Sequence, residues 1–383
     1  MTDRNVEAEI TELRELLLST RNHSRRDFLR ALRDSAAGLA LFGAMFPYVS
    51  KAADAAKQPV TIFSYGGIYK KAMYEAFCNP FTKKTGIPIQ YQEPYSFAKL
   101  RAMHEAKAQQ IDAVLAATND ILLVNQFKMA TPIDWSVVDR NALTADQLSN
   151  PNMIGFVTQS NPLCYNKKKW PGAEHPNSWA DFWNVEKFPG RRALRRTHPL
   201  HMIEGALLAD GVKESDFYPI DLDRAFRKLD QIKPHIKVWW SDNSQAQQLM
   251  AQQEVDLIYM ANGRASESII DNKVPFQIIW NQAIGDDGRF QGWYVPMGSP
   301  NPQGGMKFLD IIGRAETQAV FARMTYYSPQ NARAYALLSE DVKKELPMSP
   351  DNRKVVHLLN YEWWSKDRNY EKAQRRFEAW LQS

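Results

Sequence analysis

Short apolar runs alternate with segments of helical period along most of this chain. Val60 to Phe63 is a short, mainly apolar run that closes on the turn Ser64-Tyr65-Gly66-Gly67. Behind it Tyr69, Ala72, Met73, Ala76 and Phe77 fall at i, i+3, i+4, i+7 and i+8, which makes one buried helix face. Asn79-Pro80 is expected to end or break that helix. The alternation repeats: a strand over Pro88 to Tyr91, a helix over Phe97 to Gln109, then a buried-type strand over Ile111 to Ala117. That strand runs into Thr118-Asn119-Asp120, polar residues that open another helix. After a looser, proline-containing stretch, residues 156–166 form an extended run suited to crossing between two lobes.

The second half carries the same grammar. Ser178 caps a short helix, and Leu222, Ala225, Phe226, Leu229 and Ile232 make an amphipathic one. Lys237 to Trp240 reads as a strand, Asn243 to Gln253 as a helix, and Val255 to Met260 as a buried strand ending at Ala261-Asn262-Gly263-Arg264. Val274 to Trp280 and Trp293 to Met297 are further strands, and helices finish the chain, the last over Tyr370 to Leu381. Repeated β-α units predict mostly parallel sheets with ligands at the carboxyl ends of their strands. Glycine turns at such ends let a ligand approach the backbone. A pair of glycines also suits a plain strand-to-helix connection. Two such loops, at Gly66 and Gly263, favour the ligand-binding reading.

The N-terminal region is of a different kind. Ser24-Arg25-Arg26-Asp27-Phe28-Leu29, an apolar run from Ser35 to Val49 and the small residues Ala52 to Ala56 describe an export signal. The paired arginines followed by Phe28-Leu29 resemble the twin-arginine motif. The apolar run is shorter than the ~20 residues a membrane span needs. Cleavage after Ala55 would release a periplasmic protein of 328 of the 383 residues. That is enough chain for two lobes. The net charge of +5, on a chain with 24% charged residues, is unaltered by the cut and argues against nucleic acid as the partner.

Candidate chemistry is sparse. Cys78 and Cys164 show no metal-ligand spacing and read as small buried residues. Arg191, Arg192, Arg195 and Arg196 read as a solvated loop and helix start. His198-x-x-His201 puts two imidazoles on one helix face, but no acidic third ligand is spaced for a metal, and a surface or structural role is favoured. Nucleophile-elbow and phosphate-loop motifs are missing. An exported hydrolase or metal-binding enzyme on a two-lobed scaffold is the alternative reading. No cofactor is called for.

Several tracts in order from residue 59 to 380, including SYGGIY, PNSWADFW, FPGRRAL, ANGR, WYVPMGSPN and TYYSPQNARAYALL, resemble the spermidine/putrescine-type solute-binding proteins of ABC importers. The resemblance implies an α/β, two-lobed fold of the type II periplasmic-binding-protein kind, joined by crossing hinge strands. It places lobe 1 at 56–160 plus 291–331 and lobe 2 at 161–290 plus 332–383. It further implies a monomer that closes on a small-molecule ligand and delivers it to a permease with its ATPase, without catalysis.

Family site positions fall on Ser64, Tyr65, Gly66 and Gly67, on Thr118 and Asn119, on Asn262 and Arg264, and on Tyr327. Ala261 stands where members carry a tryptophan. Trp240, Trp280 and Trp293 are further candidates for the cleft wall, since 11 tryptophans exceed what two cores normally need. The aspartate of polyamine-binding members is matched by Gln291. Arg264 and Arg289 would suit a carboxylate. The expected ligand is a small polar solute, either a polyamine-like cation or an amino-acid-like or opine-like anion.

Overall fold

The structure, a computed structural model, describes residues 58–116, 118–197, 199–286 and 291–383, leaving aside the side chains of Ile68, Thr118, Asn119 and Leu122. The export signal read at residues 1–55, together with His198 and Arg289, lies outside the described residues. In chain order the strands are β1 (Val60–Phe63), β2 (Ile89–Gln92), β3 (Ala113–Ala116), β4 (Ile154–Gly155), β5 (Val157–Thr158) and β6 (Ser160–Asn166). There follow β7 (Arg192–Arg195), β8 (Ile236–Trp240), β9 (Leu257–Tyr259) and β10 (Phe276–Gly285). The last are β11 (Gly292–Tyr294), β12 (Ser328–Pro329) and β13 (His357–Leu358).

Two sheets result, one in each lobe of an α/β fold. The first has the order β2-β1-β3-β11-β4 and the second β13-β10-β6-β9-β7-β8. Where consecutive βα units meet, the pairing is parallel as expected, β1 with β2 and β3, and β7 with β8 and β9. The strands adjoining the crossings run the other way: β11 is antiparallel to β3 and β4, and β6 to β9 and β10. Both sheets are therefore mixed. A chain that enters a lobe along a hinge strand, without a preceding crossover helix, is free to pair antiparallel.

Period-two burial on both faces identifies the first sheet as internal. Ala113 and Leu115 of β3 point into one core with Val60 and Ile62, and Val114 and Ala116 into another with Phe63. The second lobe packs around Leu163, Tyr259, Trp240 and the helix Leu200–Ala209. That helix is buried along its whole length, while Leu222–Ile232 buries only Ala225, Phe226, Leu229 and Ile232 behind its Asp221 cap.

Two local expectations are corrected. The first helix does not end at Asn79-Pro80. It runs from Ile68–Met73 through a π turn at Tyr74–Cys78 into Asn79–Thr85, and stops at Gly86 with φ 67°. The wide turn sits just ahead of Pro80, which has no N–H to give and needs room for its ring. The boundary at residue 331 also shifts. Ala334, Leu338 and Leu346 pack on Ala319 and Ala322 of the lobe 1 helix Ala315–Thr325, and the chain rejoins lobe 2 only where β13 pairs with β10.

The lobes are linked where residues 156–166 cross from the Phe156 core to the Leu163 core, with β5 and β12 pairing beside the crossing. Cys78 and Cys164 are both buried and unpaired, one in each core, and burial pushes the Cys78 thiol up to about 12.

Candidate functional site

The carboxyl ends of β1, β3, β7, β9 and β10 converge on a hollow of about 470 Å³ between the lobes. Lobe 1 lines it with Tyr65, Gly66 and Tyr69 after β1, Asp120 on the helix after β3, Gln291 before β11, and Tyr327 before β12. From lobe 2 come Arg195 at the end of β7, His201, Asn243, Ala261, Arg264 and Tyr361, with Gln159 and Asp286 at the crossings. A cavity of this size suits a small solute.

Of the residues singled out from sequence, Tyr65, Gly66, Arg264, Gln291 and Tyr327 line the hollow. Gly67 is the turn residue that needs φ 65° and caps the helix without touching the hollow. Ser64 is fully buried behind it. Thr118 and Asn119 open the helix Thr118–Gln126, which brings their neighbour Asp120 to the cleft.

Four further candidates lie away from the hollow. Trp240 and Trp293 are fully buried core residues, and Trp280 packs against the lobe 2 core; none reaches the hollow. Aromatic residues this large fill the space between layers, which is why an excess of tryptophan is no guide to a cleft. Asn262 is also buried: its Oδ1 accepts from Ser160 N at 3.0 Å and its Nδ2 donates to the Tyr326 carbonyl. It fastens the loop to the crossing strand and to lobe 1, and it does not read solute. Gly263 packs beneath the Thr325 carbonyl and the Tyr327 ring for the same reason.

The arginine cluster is not a solvated loop either. Arg192 is 1% exposed and donates to the carbonyls of Phe182, Gly190, Asn184 and Phe188. Arg191 pairs with Asp256 at 3.2 Å. Arg195 reaches the hollow, with its guanidinium 5.3 Å from the Trp240 ring centroid and Nε donating to Thr197 Oγ1 at 2.9 Å. Among the described residues it has no carboxylate partner. Burial lowers its pKa, and Asp286 and other nearby groups offset that only in part. Arg264, by contrast, is already paired with Glu267 at 3.3 Å.

Two acids face the arginines. Asp286 is held by protein on both oxygens: Tyr361 donates to Oδ1 at 2.6 Å, Gln159 to Oδ2 at 2.8 Å, and His201 Nε2 lies 3.8 Å away. Burial pushes its pKa up, but these partners outweigh it and hold the carboxyl below the usual range. Asp120 is the reverse case. Burial raises it, and a single hydroxyl, Tyr95 OH at 2.6 Å from Oδ2, opposes the rise. Among the described residues, four other cleft residues carry buried polar atoms with no partner: Tyr69 OH, His201 Nδ1, Asn243 Oδ1 and Gln291 Oε1. Such atoms are costly unless a solute or water meets them.

Sequence reasoning missed Tyr69, Asp120, Gln159, Asn161, Arg195, Asn243, Asp286 and Tyr361, and read His201 as a surface or structural residue. Arg195 and Asp120 did carry a signal, each standing where a strand gives way to a turn or helix. Tyr69 fell on the helical stripe read as core.

The profile of the bacterial extracellular solute-binding protein family matches residues 76–349. The chain is 32% identical over 351 residues to the gamma-aminobutyric acid-binding protein of Pseudomonas aeruginosa, covering 89% of this chain and 95% of that one. It is 22% identical over 304 residues to the putrescine-binding periplasmic protein SpuD of the same species, covering 73% and 82%. An ABC transporter substrate-binding protein from Bradyrhizobium japonicum superposes with a TM-score of 0.77 at 33% identity, over 85% of this chain and 99% of that one.

Proposed function

Because this chain belongs to the bacterial extracellular solute-binding protein family and is the substrate-binding component of an ABC importer, we propose that its solute is a small amino-acid-like zwitterion whose carboxylate is held by Arg195. The carrying observation is that a largely desolvated guanidinium faces the hollow with no ion-pair partner among the described residues, Asp286 offsetting its burial only in part. A cation taken out of water needs a counter-charge, and a planar guanidinium takes a carboxylate through two parallel hydrogen bonds. A polyamine would bring its ammonium groups into the same hollow as Arg195 and Arg264, and like charges there repel. The relative that binds γ-aminobutyrate fits this better than the one that binds putrescine.

The chain acts in the periplasm as a monomer, reaches it by the twin-arginine route through Arg25 and Arg26, and delivers solute to a permease driven by its ATPase. The exported-enzyme reading leaned on His198, which lies outside the described residues, and on its helix partner His201, whose Nε2 meets Asn161 at 3.3 Å and Asp286 at 3.8 Å.

A melting screen tests the proposal. At one hundred times Kd a ligand adds about 2.7 kcal/mol to the folded state. γ-Aminobutyrate or a related amino acid is expected to raise the Tm of wild type and to do so far less in Arg195→Gln. A rise with putrescine or spermidine that survives Arg195→Gln would overturn it.

A further inference from the structure

Resting on that reading, we infer that the solute is an ω-amino acid held end to end across the cleft, its carboxylate on Arg195 of lobe 2 and its primary ammonium on Asp120 of lobe 1, so that only a two-ended solute draws the lobes together. Two acids line the hollow, and their hydrogen bonds decide between them. Asp286 already receives Tyr361 OH and Gln159 Nε2, one on each oxygen, with His201 Nε2 3.8 Å away, so protein donors already compensate its charge. Asp120 receives Tyr95 OH on Oδ2, and among the described residues no donor reaches Oδ1.

The surroundings of Asp120 complete a site for an –NH3+ group. Tyr95 donates to the carboxylate and Tyr65 lies 5.3 Å from Tyr95 between ring centroids, with Tyr69 5.5 Å beyond Tyr65, so an aromatic cluster begins at the carboxylate. Aromatic faces favour a desolvated cation. An ammonium also brings three donors. Beyond Asp120 Oδ1, the hollow offers buried unpartnered acceptors at Tyr69 OH and Gln291 Oε1, both on the lobe 1 side. A quaternary ammonium would leave those atoms unmet, whereas a primary one can satisfy them.

Placing the two charges on different lobes makes closure depend on both ends. A monocarboxylate gains its contact on lobe 2 alone and a monoamine on lobe 1 alone, and a ligand shifts a two-state equilibrium only by its differential affinity for the closed state. An α-amino acid holds its two charges closer together than an ω-amino acid does and so spans a shorter gap between the lobes.

The mature protein would be titrated calorimetrically with γ-aminobutyrate, α-aminobutyrate, butyrate and butylamine, and the radius of gyration followed by small-angle scattering. γ-Aminobutyrate is expected to bind at least ~100-fold tighter than either one-ended analogue and to compact the protein, while butyrate and butylamine do not. Asp120→Asn should cost γ-aminobutyrate on the order of 10- to 100-fold in Kd and leave butyrate within about two-fold; Arg195→Gln should weaken both. The melting of each ligand-free variant shows that it folds. The inference falls if Asp120→Asn binds γ-aminobutyrate as wild type does, or if butyrate compacts the protein as fully. It also falls if α-aminobutyrate binds as tightly as its isomer, an outcome that leaves the amino-acid reading standing. No response to any carboxylate-bearing solute would remove both.

Discussion

Arg192 and Arg195 stand three residues apart on one strand, and substituting each by glutamine should separate a fold residue from a ligand residue. Arg192→Gln removes the donors of four carbonyls, those of Phe182, Gly190, Asn184 and Phe188, in a site 1% exposed. Each buried acceptor left unpaired costs about 1–3 kcal/mol, so the variant should lose more than ~3 kcal/mol or fail to fold. Arg195→Gln works the other way. It loses a bond to Thr197 and the contact with the Trp240 ring at 5.3 Å, the latter worth about 0.5–2 kcal/mol. It also relieves a cation that burial disfavours and that Asp286 offsets only in part. These terms offset, and the ligand-free variant should melt within ~1 kcal/mol of wild type. Binding is another matter. Truncating one partner of a buried, hydrogen-bonded charge pair costs about 2–4 kcal/mol, or roughly 30- to 1,000-fold in Kd for a carboxylate-bearing solute. Thermal unfolding of the ligand-free proteins and calorimetric titration with γ-aminobutyrate read the two quantities separately. An Arg195→Gln protein that keeps its affinity within about three-fold while melting well below wild type would reverse the assignment.

The two cleft aspartates should respond to pH with opposite signs. Asp286 is held below its unfolded value, so its stabilisation is present above an unfolded pKa near 3.8 and is lost as pH falls through the folded pKa; Asp286→Asn should flatten that acid limb of the Tm profile. Burial raises Asp120, so its ionised form costs the native state at neutral pH; Asp120→Asn should melt above wild type at pH 7, with the gap closing as pH falls towards 3.8. Gly263→Ala would set a methyl 2.4 Å from the Thr325 carbonyl oxygen and 2.7 Å from the Tyr327 ring, with an expected cost of about 1–3 kcal/mol by chemical denaturation. Arg25→Lys together with Arg26→Lys should leave the precursor in the cytoplasm on fractionation; unaltered periplasmic yield would dismiss the twin-arginine route.

The fold was legible because its signals are local. Val60 to Phe63, Ile111 to Ala116 and Val255 to Met260 are buried on both faces and so read as apolar runs with one polar residue each, Thr61, Asp112 and Asp256, and the helices between them carry their stripe in the chain itself. The site was legible only where backbone shape marks it. Gly66 and Arg264 sit in turns that a sequence announces, whereas Arg195, Asp286 and Tyr361 are brought together by crossings far apart in the chain. Charge on a strand end reads the same whether it faces water or a cleft, so Arg195 looked like one more solvated arginine. Tryptophan misled in the opposite direction: its size calls for burial, and Trp240 and Trp293 found it in the cores.

Misreading Asn262 is the most instructive of these, because the residue belongs to the cleft's machinery without touching its contents. Its amide holds Ser160 N at the head of β6 and the carbonyl of Tyr326, which adopts φ 57° at the end of the lobe 1 helix Ala315–Thr325. Two residues along, Arg264 lines the hollow opposite Tyr327, the neighbour of that same carbonyl. The solute-facing residues of lobe 2 and the aromatic wall of lobe 1 therefore hang from one buried amide beside the crossing. A buried group of this kind cannot swing freely, since parting from either partner would leave a polar atom unpaired at about 1–3 kcal/mol. The Asn262–Tyr326 bond therefore opposes any separation of the lobes that would part the Arg264 loop from Tyr327.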